Sequence, residues 1–177
     1  MTDQWDFTSR FEGVVPHMYL DTRGLVTAGV GFMLPDVRAA QLLFSSFPPQ
    51  TVANDFARIR SMSPGKPARV YALACRCTLS KAEMEDGFES RVASIEYSLS
   101  TIFPSWSTFP RPAIVALVDM AYNLGVGALR NRWPHLRDAL SSHDWARCAV
   151  ECHRDGVSAE RNLATANLFQ DAAKDAP

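Results

Sequence analysis

Two carboxylates and a hydroxyl stand close together near the start of this 177-residue chain: Glu12, Asp21 and Thr27. A pair of acids is the minimum equipment for hydrolysing a sugar–sugar bond. One protonates the departing oxygen; the other, ionised, steadies the positive charge that develops on the ring or activates a water. A hydroxyl beside them can hold that water opposite the leaving group. The donor must stay protonated near neutral pH, which partial burial of Glu12 against Trp5 or Phe11 would favour. Asp21, on an exposed turn, is expected to stay ionised. Taken alone, Glu12 reads as an ordinary solvated acid in a last helical turn, so the case depends on its surroundings.

Those surroundings are ordered. Val26, Ala28 and Val30 alternate with Thr27, Gly29 and Gly31, the period of a strand. The Asp-Thr-Arg-Gly turn at 21–24 lies between an extended 18–20 and an extended 25–30, which predicts a β-hairpin. Upstream, Asp3 to Phe11 reads as a short helix stopped by Gly13 and Pro16, leaving Glu12 at its end. The expected arrangement sets Glu12 on one rim of a groove, with Asp21 and Thr27 on the hairpin opposite.

With Glu12-Gly13, Tyr19-x-Asp21, Gly24 and Thr27-x-Gly29-x-Gly31, this segment resembles the catalytic segment of phage-type lysozymes, the endolysins of glycoside hydrolase family 24. A second island, Ala116 to Gly125, resembles the central helix of that family with its aromatic-polar-Leu-Gly ending. A third keeps Gly156, Arg161 and Leu168-Phe169, but has Glu160 in place of an arginine and Thr165 in place of an acid. Phe32 stands where a histidine is common. The resemblance is weakest between positions 36 and 66.

What the resemblance implies is a mainly α fold with a small β-hairpin, α+β and lysozyme-like, with two lobes around a substrate cleft. One domain would cover 1–177, with about 13–60 as the small lobe and 1–12 plus 61–177 as the helical lobe. The implied activity is a muramidase cutting the β-1,4 bond between N-acetylmuramic acid and N-acetylglucosamine. Glu12 would be the acid, Asp21 the carboxylate and Thr27 the water-positioning hydroxyl. Tyr19, Gly31, Phe32, Leu34, Asn123 and Arg161 would contact substrate, with Arg161 approaching Glu12. No metal or other cofactor is implied. A secreted interbacterial toxin with a cognate immunity protein, a non-catalytic glycan-binding member and a lytic transglycosylase are the alternatives. Sequence leaves the inverting or retaining outcome open.

Composition narrows the partners. A net charge of −1 with no block of one sign argues against a nucleic-acid surface. It also offers little long-range pull toward an anionic wall. The polar first ten residues do not read as a signal peptide, and no apolar run is long enough for a stable membrane insertion. The expectation is a monomer, made in the cytoplasm and brought to the peptidoglycan strand by release or by another system. Arg130, Arg132, His135 and Arg137 form the one local basic cluster, either a contact for anionic wall polymer or a solvated surface. Cys148 and Cys152, one helical turn apart with His153 next door, are placed as metal ligands can be. Beside Trp145 and Ala149, and with spacing unlike the usual zinc patterns, they read rather as small apolar side chains. Cys75 and Cys77 would point to different sides of one helix, too far around the axis to share an ion.

The positioning elements follow from caps and apolar stripes. Helices are predicted from Pro35 or Asp36 to Phe44, from a Thr51 cap through Ile59, and from Pro67 to Cys77. A longer one opens on the Ser80-Lys81-Ala82-Glu83 capping box and buries Met84, Phe88, Val92, Ile95, Leu99 and Ile102. Pro112, Pro134 and Asp144 start further helices, and the last leads through Leu163 to Phe169.

Overall fold

The computed structural model describes residues 3–174. Among them the chain is mainly helical with one three-stranded antiparallel sheet, the α+β class expected of a lysozyme-like fold. It divides into two compact units: a continuous one, 12–89, and a discontinuous one that joins 1–11 to 90–177.

In the continuous unit, β1 (Val15–Leu20), β2 (Val26–Gly29) and β3 (Phe32–Met33) lie in that order. Tyr19 pairs with Thr27 and Leu20 with Val26, the expected hairpin. The third strand is a correction: Ala28 pairs with Phe32 and Thr27 with Met33, because Gly29 and Gly31 at φ +60° and +71° turn the chain back. Pro16 sits within β1 rather than before it, tolerated because β1 is an edge strand with an irregular register between Val15 and Tyr19. Asp36 caps α2 (Val37–Leu43) through a bond from the Ala39 N–H, 2.8 Å.

α3 (Pro49–Arg60) begins two residues before the Thr51 cap expected from sequence. Pro49 already has the dihedral of a first helical residue and no N–H to satisfy, so the double proline starts the helix instead of breaking it. Val52, Phe56 and Ile59 are buried as predicted. α4 (Ala68–Ala72) stops five residues short of Cys77. The buried Asp55 carboxylate of α3 takes the Arg76 and Cys77 N–H groups at 2.6 and 2.9 Å, bonds that a continued helix would have made internally. Cys75 and Cys77 therefore lie outside any helix, and the helical-wheel argument about them does not apply. The capping box is present: Glu83 Oε2 accepts from the Ser80 N–H at 2.7 Å and Ser80 Oγ from the Glu83 N–H at 3.2 Å. It opens α5 (Lys81–Ile102), whose first half belongs to this unit.

In the discontinuous unit, α1 (Asp3–Glu12) contributes its residues up to Phe11. α6 (Arg111–Leu124) is the central element, with every residue from Val115 to Tyr122 buried. Gly125 at φ +84° ends it and starts α7 (Val126–Arg132), a helix not among those predicted from sequence. α8 (Pro134–Ser141) and α9 (Trp145–Glu151), the latter capped by Asp144, begin where expected. α10 (Ala159–Lys174) packs on α6 and α9. Cys148 and Cys152 are buried, and desolvation pushes their thiols up to about 12 and about 11, so both stay protonated and apolar.

Candidate active site

Five of the residues singled out from sequence gather around the hairpin. Glu12 is the last residue of α1, and the positive-φ Gly13 lets the chain turn directly into β1. Its carboxylate folds back over the hairpin: a Cβ placed on Gly31 would come within 3.1 Å of Glu12 Oε2. Gly31 thus does two jobs, adopting a left-handed φ and leaving room for that carboxylate. Tyr19 lies on β1 directly across from Thr27 on β2, so their side chains share a face of the sheet. The Tyr19 phenol is held above its ordinary pKa by burial first, then by the charges of Glu12 and Asp21. The helix end meets the hairpin at Gly31, and the strand pair that holds Tyr19 and Thr27 runs into the Asp21 turn.

Asp21 has a clear local duty. Its Oδ1 accepts the N–H groups of Arg23 and Leu25 at 2.9 and 2.8 Å, and backbone bonds Asp21 N–H to Leu25 O and Gly24 N–H to Asp21 O close the turn. Its Oδ2 lies 3.6 Å from the exposed Arg23 guanidinium. Thr27, 5% exposed, donates its hydroxyl to Leu25 O at 3.1 Å. With that proton directed at the carbonyl, Thr27 Oγ1 is left as an acceptor for a water hydrogen.

The remaining hairpin residues are packed. Phe32 and Leu34 are 6% and 5% exposed. The Phe32 ring fills the space that side chains at Gly29 and Gly87 would need: a Cβ on Gly29 would lie 2.5 Å from it, and one on Gly87 3.3 Å. A phenyl ring here supports the hairpin by filling volume between two glycines. Gly29→Ala combines this overlap with a left-handed φ and is expected to cost about 2 kcal/mol, a fall in Tm of roughly 6 °C by calorimetry.

Asn123 and Arg161 belong to the discontinuous unit. Asn123 is exposed on the last turn of α6. Arg161 is buried and grips Asp119 of α6 with two bonds, Nε to Oδ2 at 3.1 Å and Nη2 to Oδ1 at 2.7 Å. Asp119 also receives Arg154 Nη1 at 3.0 Å and the Thr8 hydroxyl at 3.3 Å, and Arg154 Nη2 reaches Thr165 Oγ1 at 2.6 Å. Thr165 thus serves as a neutral acceptor for a buried arginine. Glu160 pairs with Arg10 on the surface. Sequence reading missed the Asp119–Arg154 link, although an aspartate midway along the most apolar helix was a usable signal, because buried charge needs a partner.

The Glu12 carboxylate lies over a small sheet that carries an aspartate and a threonine in a mostly helical chain, and a family match sets the class: a lysozyme-type peptidoglycan hydrolase. The phage lysozyme family matches residues 9–164, and the chain belongs to that family. No curated protein matches it.

Proposed function

We propose that the protein is a muramidase that hydrolyses the β-1,4 bond between N-acetylmuramic acid and N-acetylglucosamine in bacterial peptidoglycan. The observation that carries this reading is geometric: the Glu12 carboxylate lies over the hairpin at Gly31, beside the turn that Asp21 closes and the strand pair that sets Thr27 across from Tyr19. Glu12 protonates the glycosidic oxygen as the bond to the sugar carbon breaks. Water adds to that carbon while held by a hydrogen bond to Thr27 Oγ1, and Asp21 balances the positive charge on the ring or takes the proton of the water. The Asp21 turn, with two N–H groups on one oxygen, fixes the carboxylate before substrate arrives. The partner is the glycan strand and the place of action is the cell wall.

Purified protein incubated with peptidoglycan should release muropeptides with reducing ends, read by mass spectrometry after borohydride reduction. Anhydro ends would replace this reading with a lytic transglycosylase, and no release at all would end it. The two duties of Asp21 can be separated. Asp21→Asn keeps Oδ1 as an acceptor and is expected to retain Tm while losing about tenfold or more in rate. Asp21→Ala should lose both rate and Tm. Equal rates for Asn and wild type would make Asp21 a purely structural turn residue.

A further inference from the structure

On the discontinuous unit, two adjoining cavities of about 320 and about 250 Å³ share Val150 and His153 and form one trough. The larger is mostly apolar, lined by Ala149, Ala159, Ala166 and Leu163 with Asn162 and His153 as its polar groups, and Val150 and Leu163 stand 76% and 63% exposed at its rim. The smaller brings together Arg132, Trp133, His135 and Glu151. Trp133 links α7 to α8, and its indole N–H donates to His153 O at 3.1 Å, so the half-exposed ring is held in place. Arg137 braces the same junction by donating to Arg130 O at 2.9 Å. A fixed indole, a guanidinium, two imidazoles that can donate and one carboxylate that can accept are suited to a sugar ring bearing an acidic substituent.

We propose that this trough is a second glycan-binding site, which holds an unhydrolysed stretch of acidic amino-sugar strand. A hexosamine ring stacks on Trp133, and the carboxylate of its lactyl ether meets Arg132 and His135, while His153 faces Asp155 at 3.6 Å. Glu151 accepts from a ring hydroxyl, and the acyl methyl groups enter the Val150–Leu163 end. Charge selects the occupant: in a chain that is −1 overall, Arg132 with His135 beside it offers a carboxylate its cation at the wall of this trough. The inference rests on the muramidase reading for the identity of the strand, but its residues are outside the proposed catalytic set.

The test uses full-length Glu12→Gln protein, so that the probe survives, with peptide-stripped muramyl glycan strands and the neutral chitohexaose as probes. Strands should shift the Trp133 indole N–H resonance, and Arg132→Glu should weaken strand affinity about tenfold. Trp133→Ala should weaken it similarly. Because that variant also loses the bond to His153, Arg132→Glu and His135→Ala, both on exposed side chains, decide the matter if it misfolds. Unchanged affinity in Arg132→Glu, or an equal indole shift with chitohexaose, overturns the proposal. Arg132-dependent binding in a protein whose wild type releases no muropeptides would sustain the trough and sink the muramidase reading.

Discussion

Glu12→Gln is expected to abolish peptidoglycan lysis, with a loss of at least about 100-fold in rate and no change in circular dichroism or in Tm beyond a degree or two. The amide is nearly the same size as the carboxyl, so the close approach over Gly31 is kept. What disappears is a proton that can be transferred to the leaving oxygen. Glu12 is at a helix end and only partly buried, so the packing of α1, which comes from Trp5 and Thr8, is untouched. The change should also reach Tyr19, because a neutral amide removes one of the two charges that raise the phenol. Its titration midpoint, followed by ultraviolet absorbance, should move down toward the usual tyrosine value. Turbidity loss at the wild-type rate with this variant would remove Glu12 from the chemistry. Lost activity with an unmoved phenol would contradict the geometry that joins Glu12 to Tyr19.

The second large effect is on stability. Asp119→Ala leaves Arg154 and Arg161 without the carboxylate both bind, in a region where Asp119 and Arg154 are fully buried. Breaking a buried ion pair from one side typically costs about 3–5 kcal/mol, because the remaining charge stays desolvated. That is a large share of the roughly 5–15 kcal/mol that holds a domain together, so the midpoint of urea unfolding should fall steeply. Desolvation already holds the Arg154 guanidinium below its ordinary pKa, and Asp119 opposes that shift. Arg154→Met should cost less, since Asp119 keeps both bonds from Arg161 and an apolar chain replaces a desolvated charge. Equal midpoints for Asp119→Ala and wild type would show that the cluster contributes nothing net.

These two residues differ in how visible they are in the chain. Glu12, Asp21 and Thr27 stand within sixteen positions and are joined by a turn whose bonds span two to four residues. Spacing and residue type express such local geometry directly. The caps at Asp36, Ser80–Glu83 and Asp144 were legible for the same reason, since each closes on a residue three positions away. So was the Glu12–Gly31 motif, through its resemblance to the phage lysozymes.

Features decided by tertiary structure join residues far apart in the chain. α4 ends where Asp55 captures N–H groups 21 and 22 positions on. Phe32 becomes a packed wedge because Gly87 of α5 gives it room. Asp119 finds its arginines 35 and 42 residues later. Hydrogen bonds within a turn depend on local dihedrals, which residue type already biases. A buried charge or ring finds its partner only when the whole chain has packed, because the desolvation that makes the partner necessary does not exist before then.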